Sequence, residues 1–483
     1  MTTAVIKAQQ KKAAFFIIAV IMWEFFSFYG LKAILVLYFT SQLHFSDAVA
    51  YQLFGSFISL VFITPILGGW LADRFCGYRY ATAMGCILII LGHLMLTVFS
   101  HNIFIGLSLL TMGIGFFKSN AVCLISNCYA HDPVGATSAF SWYYVSGNLG
   151  SVAAQIICPY LVEKISWDLG FMMAAFGMML GFITLLLSKP YFSWEKPTEK
   201  MDNWQRLSLL KKMAATVAVA SVTFLFTYYM LRHNLVGYLL VGAVAAGAII
   251  FTRIYRNATP AHKKPLLMMV LLTGFATSFW IFSNQASSSY PLFILRYVNR
   301  DLFGFIVPTG MFQSLNPSAV LIAGTIMAFV WRWMGRRHIR PEPDTKLSMA
   351  LVLLMLGFFA ITHAAKLAGM GSNISMFLPV ASIMLLGMAE VFIDPVLLAT
   401  LGNIAPLNTE GRLVAIYYLF IGAVGNYLSI WVSKLTVDPS TSQATAQTYH
   451  DAYSQVTYVA IGLFSLLLLR ILWRKRLWRR QAV

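Results

Sequence analysis

Charged residues are scarce in this sequence. They make up only 11% of the 483 residues, against about a quarter in an ordinary soluble domain, while 59% of the residues are hydrophobic. Apolar runs of about 20 residues, enough to cross a bilayer, recur from near Lys12 to Arg470. No polar stretch between them is long enough to fold by itself. This composition excludes a soluble protein and predicts a single membrane-embedded one.

Cysteine is also scarce. The five cysteines lie in predicted spans or near their cytoplasmic ends, without metal-ligand spacing and without an extracellular framework of pairs. We therefore expect neither a disulfide nor a metal site. The cysteines are Cys76, Cys86, Cys123, Cys128 and Cys158.

The motifs of common enzyme classes are missing as well. The sequence has no GxxxxGKS/T phosphate-binding loop, no HExxH pair and no nucleophile elbow in a soluble domain. We expect no enzyme activity and no cofactor. Any work that the protein performs must then draw on a gradient across the membrane.

Positive charge is the one kind of charge in excess, with a formal net charge of +18. Basic residues that bind nucleic acid form one groove-like face, whereas those of a membrane protein fall in loops on one side of the bilayer. Here they fall in alternate loops. We therefore expect membrane lipids and no nucleic acid as partners, with both termini in the cytoplasm. The clusters lie at residues 7–12, 74–79, 189–212, 253–264, 332–340 and 474–480.

The first apolar run is expected to remain in the mature protein. It is too long for a signal-peptide core, it lacks a small-residue cleavage site, and Trp23 and Glu24 interrupt it. We interpret it as the first transmembrane helix.

Apolar length, loop charge and Gly or Pro breaks predict fourteen spans in an all-α membrane protein. Only Arg232 and His233 separate the seventh span from the eighth, which predicts a helical hairpin. Six spans before it and six after it, at residues 1–190 and 263–483, fit two six-helix halves with a substrate site between them near the midplane. Residues 191–262 would form a cytoplasmic linker and the inserted hairpin, which has no buried charge and is expected to be peripheral. The predicted spans are roughly 13–42, 48–73, 79–99, 102–127, 136–163, 167–188, 209–231, 234–256, 265–288, 307–333, 347–368, 375–401, 410–434 and 455–473.

Five charged residues stand out within predicted spans, where charge is costly and therefore a sign of function. Glu24 and Lys32 are eight residues apart and share one face of the first span. Lys118 lies in the fourth span. Glu390 and Asp394 are predicted to stand one helical turn apart on one face of the tenth.

The fourth and tenth spans occupy equivalent places in the two halves, so Lys118 is predicted to face Glu390 and Asp394 across a central cavity. Two desolvated carboxylates cannot both stay ionised cheaply, and one lysine neutralises only one of them. Protonation that breaks an ion pair between the halves would couple a proton to alternating access. The alternative is a static ion pair that fixes helix register, which applies to Lys118 with Asp394 and also to Glu24.

Three asparagines in predicted spans are further candidates, namely Asn148, Asn284 and Asn316. A side-chain amide in a membrane needs a partner and can bind a backbone-like ligand, although bonding between helices is an equal alternative for each one. His93 and His363 are interpreted as packing residues.

Several segments resemble the signatures of known families. TPILGGWLADRFCGYR resembles the loop after the second span of major facilitator transporters. More specific matches cover nearly the whole chain in order and resemble the proton-dependent oligopeptide transporter (POT or PTR) family. The resemblance implies the major facilitator fold, the inserted hairpin of the bacterial members, and the bacterial inner membrane. The matches are FSFYGLKAILVLY, GFFKSN, FSWYYVSGNLGS, FQSLNP and AEVFIDP, in the first, fourth, fifth, eighth and tenth spans.

The resemblance also implies roles for individual residues. Lys118 and Lys32 fall on the basic positions that engage the carboxylate end of a peptide. Glu390 falls on the glutamate that meets the amino end. Tyr29, Tyr144, Asn148 and Asn316 match further residues of the family's first, fifth and eighth helices.

The sequence departs from the family pattern at several positions. The first-helix ExxERFxYY motif reads IMWEFFSFY, so Glu24 is its only remaining charged residue. Asn284 stands where many members have a seventh-helix glutamate, and Tyr417 where many have an eleventh-helix tryptophan. Asp394 replaces a small polar residue, as in an atypical bacterial branch whose aspartate faces the fourth-helix lysine. These departures shift the expected proton coupling to Glu24, Asp394 and Lys118.

The sequence thus predicts proton-coupled import of di- and tripeptides by a protein that works as a monomer. The peptide carboxylate would meet Lys118 and Lys32, and the amine would meet Glu390 with help from one of the three asparagines. A proton-independent facilitator and a transporter of another amphoteric solute remain open alternatives. A non-transporting sensor is disfavoured, because the longest cytoplasmic segment is a short basic linker. Aromatic residues would shape the side-chain pockets, with Tyr29, Tyr144 and Tyr417 as candidates.

Overall fold

The structure is a computed structural model of the chain. It describes residues 3–98, 102–130, 132–192, 208–339, 341–372, 374–406, 409–441 and 443–481. Residues 193–207 of the predicted linker and Arg340 lie outside this part, as do the side chains of the basic cluster at 474–480.

Fourteen helices in the described part of the chain are long and apolar enough to cross a membrane. They follow the predicted order of six, two and six, and they confirm the all-α membrane class. The spans are Lys7–Gln42, Asp47–Arg74, Tyr78–Val98, Ile103–Cys128, Pro133–Lys164, Trp167–Leu187, Ala214–Arg232, Val236–Asn257, Pro260–Tyr297, Thr309–Arg336, Pro343–Gly369, Phe377–Gly402, Glu410–Lys434 and Ala446–Trp473.

The chain divides into two compact units, of which the first comprises Met1–Leu35 and Ser56–Val236. It contains the seventh spanning helix, whereas the eighth belongs to the second unit. The last residues of α1 and the first residues of α2 belong to the second unit. The helices are α1 (Thr3–Leu37), α2 (Asp47–Leu71), α3 (Tyr78–Val98), α4 (Ile103–Cys128), α5 (Pro133–Lys164), α6 (Trp167–Leu187) and α7 (Leu209–Arg232).

Small residues let the helices of the first unit approach closely. A Cβ atom on Gly68 of α2 would lie only 2.2 Å from the backbone oxygen of Gly115 on α4, so only glycine fits this contact. The buried Asn120 of α4 donates through Nδ2 to the Gly68 carbonyl at 3.1 Å. These contacts fix the segment of α4 that carries Lys118.

The second unit comprises Val36–Gly55 and Gly237–Val483. Its short strands pair as β1 with β4 in parallel and β2 with β3 in antiparallel. The strands are β1 (Val298–Asn299), β2 (Asp301–Leu302), β3 (Phe305–Ile306) and β4 (Ile374–Ser375). The helices are α8 (Val236–Asn257), α9 (Pro260–Ser283), α10 (Ser289–Tyr297), α11 (Leu315–Arg336), α12 (Pro343–Gly369), α13 (Phe377–Glu390), α14 (Asp394–Ile404), α15 (Glu410–Tyr418), α16 (Gly425–Lys434) and α17 (Ala446–Gln481).

The tenth span is not the continuous helix that the sequence predicts. α13 ends at Glu390, and α14 begins at Asp394 after a turn in which the Ile393 amide donates to the Glu390 carbonyl at 3.0 Å. Pro395 explains the break, because it has no amide hydrogen for the carbonyl one turn earlier and its ring clashes there. The prediction that Glu390 and Asp394 share one helical face is therefore wrong, since they belong to different helices.

A salt bridge ties the start of α2 into the second unit. The guanidinium of Arg296 donates to both carboxylate oxygens of Asp47, at 2.6 and 2.7 Å. The Ala444 amide donates to the same carboxylate at 2.7 Å. A bidentate pair of this kind fixes orientation as well as distance, so residues 36–55 are part of this unit by specific bonds.

Candidate functional site

Lys118 lies among aromatic rings in the first unit. Its Nζ is 5.1 Å from the ring centroid of Phe28, 5.4 Å from that of Phe62 and 5.9 Å from that of Phe25. Ring faces attract a cation, so the side chains of α1 and α2 hold the ammonium group of α4. Phe25 and Phe28 occupy positions where the resemblance implies an Arg and a Tyr.

Glu24 is fully buried beside this group, with 1% of its surface exposed. Lys118 acts on it electrostatically. Among the described residues, nothing forms a hydrogen bond with Glu24 Oε1. Burying a charged carboxylate without a hydrogen-bond partner costs free energy. Protonation of Glu24 would remove the charge and lower that cost.

Tyr29 and Lys32 lie on the face of α1 that carries Phe25. The Tyr29 ring stacks on Phe25 with centroids 5.6 Å apart, and Lys32 Nζ lies 5.7 Å from the Tyr29 centroid. The structure thus brings Lys118 and Tyr29 against the Phe25 ring and places Lys32 against the ring of Tyr29.

The α5 candidates lie next to this cluster. Tyr143 of α5 contacts the Phe25 ring with centroids 6.0 Å apart. The neighbouring Tyr144 is exposed, and its backbone oxygen accepts from Asn148 Nδ2 at 2.9 Å. The Asn148 donor is therefore used within its own helix.

Glu390 ends α13 in the second unit and is half-buried. Its Oε1 accepts from Asn316 Nδ2 at 2.8 Å and from the Ser283 hydroxyl at 3.4 Å. Asn316 is thus the predicted asparagine that the structure joins to the carboxylate. Asn284, another asparagine predicted to help Glu390 bind the amine, is buried. The Nδ2 atom of Asn284 has no hydrogen-bond partner among the described residues.

Asp394 has a separate set of partners. Its Oδ1 accepts from the Tyr417 hydroxyl at 2.7 Å and from Trp280 Nε1 at 3.2 Å. Two donors to one carboxylate oxygen stabilise the charged form. Because α13 ends before Asp394, the two carboxylates are held independently.

Sequence reasoning missed Trp280 and Ser283 as partners of the carboxylates. They are 114 and 107 residues from Asp394 and Glu390 in the chain. The only local signal is their spacing on α9, where both lie within one turn of Asn284. In the described part of the chain no group of three or more His, Cys, Asp or Glu side chains could hold a metal ion.

Comparison with known proteins identifies the family. The sequence model of the POT family matches residues 79–450. Dipeptide and tripeptide permease A of Proteus mirabilis (strain HI4320) is 27% identical over 467 residues, 95% of this chain and 94% of the relative. The protein of the same name from Chromobacterium violaceum is 26% identical over 473 residues, 95% of this chain and 92% of the relative.

Solved structures share the fold. A crystal structure of a peptide transporter POT in complex with sulfate superposes with a TM-score of 0.79 at 24% identity, covering 95% of this chain and 94% of that one. A POT family transporter in complex with 5-aminolevulinic acid gives a TM-score of 0.78 at 24% identity, with 94% and 95% covered. A tetrameric structure named PepTSo2 gives 0.79 at 22% identity, with 97% and 99% covered.

The fourteen spans and the bacterial permeases among the relatives make this a multi-pass protein of the inner membrane. The resemblance drawn from the sequence motifs is confirmed over more than half of the chain, and the protein belongs to the POT family, the proton-dependent oligopeptide transporters.

Proposed function

We propose that this protein imports di- and tripeptides together with protons by alternating access. Membership of the POT family supports this function, as do relatives that are named dipeptide and tripeptide permeases. The observation that carries it is a pair of charged groups within membrane spans: Glu390, which accepts from Asn316 Nδ2 at 2.8 Å, and Lys118, whose Nζ lies 5.1 Å from the ring centroid of Phe28. A zwitterionic peptide supplies the opposite charge for each of them.

In this proposal, Lys118 and Lys32 bind the peptide carboxylate, and Glu390 binds the amine. Asn316 assists Glu390, because its Nδ2 already orients the carboxylate at 2.8 Å. Asn148 and Asn284 are further polar contacts for the peptide backbone, and Tyr29, Tyr144 and Tyr417 shape the side-chain pockets.

Proton coupling is assigned to Glu24, Asp394 and Lys118, with Lys118 as the cation that acts electrostatically on Glu24. Glu24 Oε1 is buried and has no hydrogen-bond partner in the part of the chain that the structure describes, so gain and loss of a proton change its energy strongly. Asp394 is held by donors that a proton on Oδ1 would displace. The protein transports as a monomer with both termini in the cytoplasm, the latter by the distribution of basic loops.

Uptake of a labelled dipeptide into liposomes tests this function, with an acidic exterior and with or without a protonophore. We expect wild-type protein to accumulate peptide above equilibrium and to lose that accumulation with the protonophore. Asp394→Asn, which keeps the shape of the side chain, should equilibrate peptide without accumulating it. Accumulation that persists with the protonophore or in the variant contradicts proton coupling through Asp394.

A transporter of another amphoteric solute would use the same two charged groups, and a POT family structure contains 5-aminolevulinic acid. Competition separates the two functions. Excess dipeptide should abolish uptake of labelled 5-aminolevulinic acid if peptides are the substrates, and labelled dipeptide uptake should be undetectable if they are not.

A further inference from the structure

An apolar groove of about 360 Å³ lies in the second unit between α8, α9, α14 and α15. Its floor is formed by the buried side chains of Leu401, Leu413 and Tyr417. Its lining is almost entirely carbon, so water would find few hydrogen-bond partners there. The shape and chemistry fit an aliphatic chain.

The groove is open along α9. Leu267 and Val270 of its wall are 52% and 50% exposed. A Cβ atom on Gly274 would have no heavy atom of the described residues within 4 Å. All three residues belong to a membrane-spanning helix, so the neighbours of this open side are lipid chains and not water.

One end of the groove meets a basic cluster at the turn between α8 and α9. Arg253 lies two residues after the lining residue Phe251, and Lys264 lies two residues before the lining residue Leu266. Residues 248–300 contain no Asp or Glu, and the α15 charges Glu410 and Arg412 offset each other. The basic cluster consists of Arg253, Arg256, Lys263 and Lys264.

The cluster and the groove are within reach of one amphiphile. Lys264 and Gly274 are ten residues apart on α9, roughly 15 Å along the helix. Cations next to a gap between spanning helices are the usual site for an acidic lipid headgroup. Charge complementarity therefore selects an anionic lipid over a zwitterionic one.

We propose that the groove binds one acyl chain of an anionic phospholipid, whose headgroup sits on the basic cluster. The bound chain contacts the ring of Tyr417, and the hydroxyl of Tyr417 donates to Asp394 at 2.7 Å. The lipid thereby restricts the Tyr417 ring. Any resulting effect on transport rests on the proposed function, whereas the binding of the lipid is independent of that function.

Native mass spectrometry of the purified full-length protein tests the site independently of transport. The protein is titrated with phosphatidylglycerol and with phosphatidylcholine of the same acyl chains. We expect the anionic lipid to bind about tenfold more tightly to one site per chain. Equal affinity for the two lipids overturns the proposal.

Two glycine substitutions separate the groove from the rest of the surface. Gly274→Leu fills the groove and should weaken phosphatidylglycerol binding about tenfold. Gly324→Leu on α11 is the matched control, because its Cβ also has no described atom within 4 Å, and it should bind as wild type does. Both changes favour the helix, so neither should unfold it. Equal binding by the two variants overturns the proposal.

A surface variant tests the headgroup contact without altering the groove. Replacing all four residues of the basic cluster by Gln should remove the preference for phosphatidylglycerol while phosphatidylcholine binding stays unchanged. A preference that survives this change shows that the headgroup lies elsewhere and overturns the proposal.

Discussion

At the scale of single residues, the two carboxylates of the second unit differ in what holds them. Glu390 accepts from an amide and a hydroxyl, whereas Asp394 accepts from a phenol and an indole. An amide can exchange its bond for one to a substrate amine. The phenol and indole groups that donate to Asp394 belong to rigid aromatic rings. Rigid donors suit Asp394, because its carboxyl group has to gain and lose a proton while staying in place.

Tyr417→Phe tests the role of the phenol. The change removes one donor from the charged form of Asp394, so a proton should bind to it more readily. We expect the pH of half-maximal uptake to rise by roughly one unit. Uptake is measured in liposomes over a range of external pH at a fixed membrane potential.

Tyr418→Phe is the control, since Tyr418 is the next residue and its ring contacts that of Tyr417 with centroids 5.6 Å apart. Its pH profile should match that of wild type. An unchanged profile in Tyr417→Phe would mean that the proton is not bound at Asp394.

Lys118→Gln tests the cation. The change keeps a polar, unbranched stem but removes the charge that would meet the peptide carboxylate, a contact that is typically worth several kcal/mol when desolvated. We expect kcat/KM for a dipeptide to fall at least about 100-fold. The exposed Lys366→Gln should leave it unchanged, and equal effects of the two substitutions would exclude the role of Lys118.

At the scale of helices, close approach through glycine is what positions Lys118. Gly68→Ala places a methyl group where only 2.2 Å separates it from the Gly115 oxygen. Because backbone cannot give way cheaply, we expect about 1–3 kcal/mol of destabilisation. The melting temperature of the purified protein in detergent measures it.

Gly242→Ala on α8 is the comparison, because no described heavy atom lies within 4 Å of its Cβ position. Its melting temperature should stay level or rise, since alanine favours helix over glycine. A similar loss in both variants would mean that helix packing at Gly68 is not the cause.

The helices also mark the limit of sequence prediction. Apolar length and loop charge predicted fourteen spans, because both follow directly from the thickness and polarity of a membrane. The break between Glu390 and Asp394 was not predicted, although Pro395 was visible, because hydropathy treats a proline-containing run as one span. A proline can kink a membrane helix or divide it, and surrounding bonds decide which.

Part of the candidate site was also predictable from the apolar nature of the membrane. Glu24, Lys118, Glu390 and Asp394 were found because charge in a membrane is rare. Their partners Trp280 and Ser283 are ordinary residues for a spanning helix, and only the fold brings them to the carboxylates across more than 100 positions of the chain.

At the scale of the whole molecule, the five charges of the candidate site do not cancel. Glu24, Glu390 and Asp394 set three negative charges against the two positive charges of Lys32 and Lys118, which leaves one negative charge when all are ionised. We therefore expect Ala-Lys to be taken up faster than Ala-Glu, by roughly threefold to tenfold. Competition of each against labelled Ala-Ala measures this preference, and equal inhibition would rule it out.

The bonds between Asp47, Arg296 and Ala444 limit how this protein can be recombined with its relatives. Residues 36–55 come early in the chain but belong to the unit that otherwise begins at Gly237. A chimaera that exchanges the two halves at the linker would give that unit a foreign segment and lose matched charges. The exchangeable module is therefore discontinuous, and a functional hybrid has to carry residues 36–55 along with the C-terminal half.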